Sequence, residues 1–212
     1  MDIVMIGSGN VAAVLGRKFD AAGHKIVQII SRNASAATEL AYEWDTESSN
    51  YFSVINKNAD VYILAVSDDA LPEIVHDLKL PGKVVAHTAG SVPKEVLKNV
   101  TQHYGVFYPL QSIRKEITRL PDTPIFFEGS DDIATATLKK LAESISTQPP
   151  VFAGSEDRMK LHVAAVIVNN FTSHLYALAE QYCKKEGIDF RQLVPLIEET
   201  VHRLKTNSPG DT

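Results

Sequence analysis

The chain has 212 residues, 44% of them hydrophobic, and a formal net charge of −5 at pH 7. That length is sufficient for one sizeable core, or for one domain with a smaller companion, and the scattered Lys and Arg residues exclude a broad basic face for nucleic acid. The single cysteine, Cys183, excludes an internal disulfide, no Cys and His cluster has zinc-ligand spacing, and neither a secretory signal nor an apolar run of roughly 20 residues is found. We expect a cytoplasmic protein with no metal, membrane or nucleic-acid partner.

The first predicted elements are a strand, a tight turn and a helix. Residues 3–6 are apolar and mostly β-branched, which predicts a buried strand. The turn Gly-Ser-Gly-Asn follows at once. Apolar residues at helical spacing then predict a helix over residues 11–22, ended by Gly23.

The alternation of strand and helix continues along most of the chain. The pattern predicts strands at 25–30, 61–66 and 84–86, helices at 34–44, 67–79 and 133–144, and three further apolar segments that extend the sheet at 106–108, 124–128 and 151–153. Strands that alternate with helices of about ten residues form βαβ units with right-handed crossovers. The predicted fold class is therefore α/β, with a mainly parallel sheet.

The composition changes at residues 154–157, which favours a domain boundary there. Residues 158–184 have one long helical pattern without Gly or Pro, and residues 190–204 predict a further helix with Pro195 inside its pattern. We therefore expect one domain over residues 1–154 and a second, smaller, all-helical domain over residues 155–212.

The strongest chemical signal is the spacing Gly7-x-Gly9-x-x-Ala12 between the first strand and the first helix. Gly7 permits a tight turn, Gly9 lets the backbone approach a pyrophosphate, and Ala12 lets the helix pack closely on the strand. Asn10 and Val11 lie in the same turn and would share this binding. The motif in this context predicts a Rossmann-type dinucleotide-binding domain; the alternative is a glycine turn in a fold that binds no nucleotide.

The end of the second strand indicates which dinucleotide would bind. Folds that prefer NAD place an acidic residue there for the ribose 2′-hydroxyl, whereas this chain has Ser31, Arg32 and Asn33. A guanidinium pairs well with a phosphate, so Ser31 and Arg32 predict NADP(H) as the cofactor. The alternative is that Arg32 is an ordinary solvated residue.

Two further strand ends face the same predicted crevice. Val66, Ser67 and Asp68 are expected to contact the cofactor. The acidic pair Asp68 and Asp69 that follows Ser67 favours a helix N-cap over a catalytic role, because Ser and Asp side chains bind the free amides there. His87 could donate a proton or orient a substrate. It could equally be a structural hydrogen-bond partner.

The long helix has polar residues along one stripe at 100° per residue. The stripe consists of Arg158, His162, Ala165, Asn169, Thr172, Ser173 and Tyr176. If it faces the crevice, His162 and Asn169 would bind a substrate, because polar groups that converge on a pocket are typical of a site. If it faces water or another subunit, these polar groups are merely solvated or have their hydrogen bonds satisfied there.

The sequence resembles a family of Rossmann-like proteins with a C-terminal helical domain of unknown function. The resemblance covers nearly the whole chain and rests on Gly7-Ser-Gly-Asn-Val-Ala12, Ser31-Arg32, Leu64-Ala-Val-Ser-Asp-Asp69, His87-Thr-Ala-Gly-Ser91, Tyr108-Pro-Leu-Gln111, Leu161-His-Val-Ala-Ala165, Asn169-Asn-Phe171 and Pro195-Leu-Ile-Glu-Glu-Thr200. The first domain is more distantly similar to pyrroline-5-carboxylate reductase and to deazaflavin-dependent NADP oxidoreductases, which implies a reductase. Family members continue beyond the last residue of this chain, so we expect the second domain to be incomplete.

One departure from related β-hydroxyacid dehydrogenases concerns the catalytic lysine. Those enzymes place a Lys four residues before an Asn on the long helix, where this chain has Ala165 and Val166 before Asn169 and Asn170. The absence of this catalytic lysine favours the alternative of a non-catalytic NADP(H)-binding sensor or interaction protein.

The leading hypothesis is an NADP(H)-dependent oxidoreductase that transfers hydride to or from a small substrate with a C=N or C=O bond. His87, His162 and Asn169 are the expected groups for proton donation and substrate orientation. A homodimer through the helical domain is expected, partly by analogy with the relatives.

Overall fold

The computed structural model describes residues 1–116 and 120–211. The chain divides into two compact units, Met1–Val163 and Ala164–Thr212. The first unit is built on a β-sheet, and the described part of the second contains helices and the turns between them.

Eight strands form one sheet in the order β3-β2-β1-β4-β5-β6-β7-β8. Their bounds are β1 Asp2–Ile6, β2 Lys25–Ile30, β3 Glu47–Ser49, β4 Val61–Leu64, β5 Val84–His87, β6 His103–Pro109, β7 Ile125–Gly129 and β8 Val151–Phe152. All neighbouring strands are parallel except β6 and β7, which pair antiparallel. The predicted fold class, α/β with a mainly parallel sheet, is confirmed.

The described residues contain seven α-helices. Their bounds are α1 Asn10–Ala21, α2 Ala34–Glu43, α3 Leu71–Asp77, α4 Asp132–Ile145, α5 Ser155–Ala165, α6 Thr172–Lys185 and α7 Val194–Arg203. Pro195 lies in the first turn of α7 rather than inside a longer helix, which fits a residue that lacks the N–H needed further along.

The long helical pattern at residues 158–184 is interrupted by a π-helix, Val166–Phe171. A π-helix has more residues per turn than an α-helix. The uniform spacing of 100° per residue, on which the expected polar stripe depends, therefore does not apply to this segment.

The core lies on both faces of the sheet. Along β1, Ile3 and Met5 pack into one buried cluster, whereas Val4 and Ile6 pack into a second. Because strand residues alternate between faces, a strand covered on both sides is apolar throughout. This double burial explains why the first strand is a continuous apolar run.

The order in which the strands are added to the sheet changes direction at the neighbouring strands β1 and β4. β2 and β3 lie on one side of β1, whereas β4, β5 and β6 lie on the other. In sheets of this kind, ligands bind at such a reversal, beyond the carboxyl ends of the strands. The ends of β1, β2 and β4 are thus where a site is expected.

Candidate functional site

A cleft of about 330 Å³ opens at the carboxyl ends of β1, β2 and β4. It is lined by Ile6, Gly7, Ser8, Gly9, Ile30, Ser31, Arg32, Asn33, Phe52, Ala65, Val66, Ser67, Ala70 and Ile74. Six residues proposed from the sequence for cofactor binding therefore line one cleft: Gly7, Gly9, Ser31, Arg32, Val66 and Ser67.

Gly7 is required by the protein itself. Its φ is +116°, a conformation that other residues rarely adopt, and a Cβ added there would overlap the carbonyl oxygen of Ala65 on the neighbouring strand. The N–H of Gly7 also donates to the carbonyl of Ile30 at 2.8 Å, which ties the turn to β2. This glycine fixes the shape of the turn whether or not a ligand binds.

Gly9 is different, because the protein gives no steric reason for it. Its φ is −83°, and among the described residues no atom other than those of its chain neighbours lies within 4 Å of an added Cβ. Gly9 is the N-cap of α1 and has no side chain to cap the first amides of that helix. Free amides at a helix N-terminus bind anions. The open space beside a residue that lines the cleft therefore fits a phosphate group that approaches the backbone closely.

The three remaining residues proposed for pyrophosphate binding, Asn10, Val11 and Ala12, do not line the cleft. Ala12 is fully buried, as expected for close packing of α1 on the sheet. Asn10 accepts a hydrogen bond at Oδ1 from the backbone N–H of Lys115 at 3.3 Å. Val11 is partly buried against the core. Their proposed contacts with the pyrophosphate stay predictions.

Arg32 lies at the rim of the cleft and forms an ion pair with Glu73, which is 41 residues away in the sequence. Its Nη1 lies 2.9 Å from Oε2 of Glu73 on α3, and the two side chains are 65% and 69% exposed. Exposed pairs of this kind contribute about 0–1 kcal/mol. A phosphate could therefore displace Glu73 from Arg32. Below Arg32, the hydroxyls of Ser8 and Ser31 are 2.8 Å apart.

The prediction that the acidic pair Asp68 and Asp69 caps a helix is wrong, because neither the 3₁₀ turn nor α3 has a capping side chain. Ser67 occupies the N-cap of the short 3₁₀ turn Asp68–Ala70 but makes no side-chain capping bond. Asp68 instead accepts a hydrogen bond from the hydroxyl of Ser91. Its carboxylate therefore points to the loop that follows β5.

His87 is fully buried at the end of β5. Nδ1 accepts from the N–H of Ala89 at 3.2 Å, and Nε2 lies 3.4 Å from the carbonyl oxygen of Pro93. Burial, with a smaller contribution from the positive charge of Arg158, lowers the pKa of His87 from 6.5 to about 4. This placement favours the structural alternative over proton donation at neutral pH.

The buried imidazole predicts a pH-dependent stability. Between pH 6.5 and about 4 the unfolded chain binds a proton at His87 that the folded chain does not, so the free energy of unfolding falls as the pH is lowered. The expected loss is up to ~3 kcal/mol. Urea denaturation at several pH values measures it. The slope of the free energy of unfolding against pH should be smaller in His87→Asn. It should persist in a control, His76→Asn, because the side chain of His76 is exposed. An unchanged slope in His87→Asn would contradict the prediction.

Tyr108 and His162 form a hydrogen-bonded pair, a contact that the sequence did not predict. The hydroxyl of Tyr108, near the end of β6, lies 3.0 Å from Nδ1 of His162 on α5. Tyr108 appeared in the sequence only within a family motif. The rule that strand ends carry site residues would have indicated it, since β6 is parallel to β5 and ends at the same edge.

Arg158, expected on an exposed or site-facing stripe, is buried in an ionic cluster. Its Nη1 lies 2.8 Å from Oε2 of Glu128 on β7, and its Nη2 donates to the carbonyl of Val92 at 2.7 Å. The ammonium of Lys94 binds the other oxygen of Glu128. Hydrogen bonds and charge from Lys94 and Arg158 outweigh the effect of burial and lower the pKa of Glu128. The cluster joins α5, β7 and the loop after β5.

Asn169 lies in the π-helix of the second unit, where its Nδ2 donates to Oδ1 of Asn170 at 2.9 Å. Its proposed contact with a substrate stays a prediction. Within the described residues, no group of three or more His, Cys, Asp or Glu could hold a metal ion, and no helix is long and apolar enough to cross a membrane.

Comparison with known proteins identifies the family. The model of a Rossmann-like domain matches residues 1–112, which is more than half of the chain. The chain belongs to the Rossmann-like family. A domain of unknown function, DUF2520, matches residues 123–212. These matches confirm the resemblance seen in the sequence.

Solved structures of Rossmann-like proteins extend the comparison. A "putative NADP oxidoreductase" from Bacteroides fragilis is 38% identical, with a TM-score of 0.89 over 98% of this chain and 82% of its own. A protein from Thermotoga maritima is 23% identical, with a TM-score of 0.77 over 96% and 79% of the two chains. The 1-pyrroline-5-carboxylate reductase of Streptococcus pyogenes is 17% identical, with a TM-score of 0.71 over 100% and 83%. The last two show a shared fold. No curated protein sequence matches the chain significantly.

Proposed function

We propose that this protein is an NADP(H)-dependent oxidoreductase that transfers hydride to or from a small substrate with a C=N or C=O bond. The observation that carries the proposal is the cleft at the sheet reversal, where open space beside Gly9 adjoins the uncapped end of α1 and Arg32 stands at the rim. The relative from Bacteroides fragilis, whose name includes NADP oxidoreductase, supports it.

The pyrophosphate and the 2′-phosphate of the dinucleotide would each have a matching group in the cleft. The backbone of Gly7 and Gly9 would bind the pyrophosphate, and Ser31 with Arg32 would bind the 2′-phosphate. Val66 and Ser67 would form the wall that continues towards Asp68. The bound nicotinamide supplies the hydride, and the protein orients it and provides the proton.

The first test is the affinity for NADPH and NADH of the wild type and of Arg32→Ala, by calorimetric titration. We expect NADPH to bind more tightly than NADH. Removing the guanidinium should weaken NADPH binding about 10- to 100-fold, as expected for a charged hydrogen bond worth about 1.5–3 kcal/mol. NADH, which has no 2′-phosphate, should be affected less than threefold.

Two matched variants sharpen this test. Lys139→Ala removes a positive charge from α4, outside the cleft, and should leave both affinities unchanged. Glu73→Gln removes the carboxylate that competes for Arg32 and should tighten NADPH binding about two- to fivefold. Equal binding of NADPH and NADH by wild type and Arg32→Ala would refute the proposed cofactor selection.

Turnover separates the enzyme from the alternative of a nucleotide sensor. Oxidation of NADPH by small imines, aldehydes or ketones supports the enzyme, whereas binding without any turnover supports a sensor. The homodimer through the helical domain stays a prediction that the exposed Val168, Leu175 and Leu196 favour, and sedimentation equilibrium would check it.

A further inference from the structure

Three segments of the first unit meet around the side chains of Tyr108 and His162. β6 carries Tyr108, α5 carries His162, and the loop after β5 contributes Gly90. The Tyr108 hydroxyl lies 3.0 Å from Nδ1 of His162, and the two ring centroids are 6.0 Å apart. The two side chains are therefore within hydrogen-bond distance, and neither of them lines the cofactor cleft.

Gly90 shows how closely the loop packs on this pair. A Cβ added at Gly90 would lie 2.8 Å from both Nδ1 of His162 and Cζ of Tyr108. Ser91, the next residue, donates its hydroxyl to Asp68. Asp68 follows directly after Ser67, which lines the cleft. The loop thus connects the Tyr108 and His162 pair to the wall of the proposed cofactor site.

The charges around Tyr108 favour its protonated form. Burial raises the pKa of Tyr108 above its ordinary value, the negative charge of Asp68 raises it further, and the positive charge of Arg158 opposes them. A tyrosine in this environment is a poor source of a net proton at neutral pH. It passes a proton on more readily if another group replaces that proton as it leaves. His162 is the group in contact with the hydroxyl.

We propose that Tyr108 is the catalytic proton donor of the oxidoreductase and that His162 is its proton source. In the reduction, the phenolic proton of Tyr108 moves to the nitrogen or oxygen of the substrate while Nδ1 of the protonated His162 returns a proton to the phenol oxygen. The substrate carbon gains the hydride that NADPH loses as it becomes NADP⁺. One C–H and one N–H or O–H bond form, and His162 is left neutral until water reprotonates it.

This inference rests on the proposed function for its reductant, but its geometry can be tested without any cofactor. When His162 is neutral, donation from Tyr108 to Nδ1 holds the ring proton on Nε2. Long-range ¹H–¹⁵N NMR of the wild type should therefore show a predominant Nε2–H tautomer at His162. Tyr108→Phe should move the tautomers towards a mixture, and Tyr104→Phe, on the same strand, should not. An unchanged His162 signal in Tyr108→Phe would overturn the pair.

Kinetics then tests the proton transfer itself. The assay follows NADPH oxidation by a panel of small cyclic imines, aldehydes and ketones, including 2-methyl-1-pyrroline and cyclohexanone. Tyr108→Phe should lower kcat about 100-fold, within the usual range for loss of a general acid, and leave KM within threefold. His162→Gln, which cannot supply a net proton, should lower kcat at least tenfold. Tyr104→Phe should turn over as the wild type does.

The outcomes distinguish this inference from the proposed function. Wild-type kcat in Tyr108→Phe, with NADPH affinity unchanged, would overturn the donor and leave the oxidoreductase intact. Failure of every substrate in a protein that binds NADPH would overturn both the oxidoreductase and the relay that rests on it, in favour of the nucleotide sensor. Failure to bind NADPH at all would instead overturn the proposed function, and the NMR result would still decide whether the pair exists.

Discussion

Replacement of Arg158 by alanine is expected to lower the free energy of unfolding by about 3–5 kcal/mol, the usual cost of removing one partner from a buried ion pair. Arg158 is 1% exposed and the Glu128 side chain 7%. Without the guanidinium, Lys94 is the one cationic partner that Glu128 keeps within the described residues, and the carbonyls of Val92 and Ala153 lose a donor. Urea denaturation at pH 7, monitored by circular dichroism, measures the loss.

The variants of the ion pair separate its charge from its packing. The double variant Arg158→Met with Glu128→Leu removes both buried charges and keeps most of the volume, so it should recover at least half of the loss. Arg203→Ala breaks an exposed pair with Glu199 on one helix and should cost less than about 0.5 kcal/mol. A cost below 1 kcal/mol for Arg158→Ala would show that the buried pair contributes little. Within the described residues, Nε of Arg158 is buried without a hydrogen-bond partner, and the desolvation cost of that N–H offsets part of the stabilisation by the pair.

The fold could be predicted because the dominant signals are local. The central parallel strands are short and mostly apolar, as in the confirmed strand Lys25–Ile30, and the crossover helices show apolar residues at helical spacing. β3 was not predicted, because Glu47–Ser49 is three polar residues long and pairs with only one strand. The π-helix was not predicted either, since six residues of ordinary helical composition carry no signal for the change in turn.

The site could be predicted only where the motif is local. Gly7 and Gly9 are two residues apart, and their roles follow from the turn that they share. Arg32 and Glu73 are 41 residues apart, and Tyr108 and His162 are 54 apart. Such pairs depend on the order of strands in the sheet, which sequence periodicity does not specify. For the same reason, the burial of Arg158 against Glu128 could not be distinguished from exposure on a polar stripe.

Substitution by alanine should lower the stability of the protein at Gly7 but not at Gly9. Gly7→Ala combines a positive φ with overlap against the backbone of Ala65, so it should cost at least about 3 kcal/mol and lower the thermal midpoint by roughly 10 °C. The methyl group of Gly9→Ala meets no atom within 4 Å in the part of the chain that the structure describes, its chain neighbours aside, and it needs no unusual φ. Its thermal midpoint should stay within about 2 °C of the wild type.

The affinity for NADPH completes the comparison. In Gly9→Ala the methyl group fills the space where the pyrophosphate would meet the backbone, so we expect at least a tenfold loss of NADPH affinity in a protein of unchanged stability. Calorimetric titration beside a thermal scan measures both quantities on one sample. If Gly9→Ala is as stable as the wild type and binds NADPH equally well, the open space beside Gly9 is not the phosphate site, and the turn is architecture alone. Loss of NADPH affinity at unchanged stability would support binding of the pyrophosphate at Gly9, since among the described residues only its chain neighbours lie within 4 Å of an added Cβ.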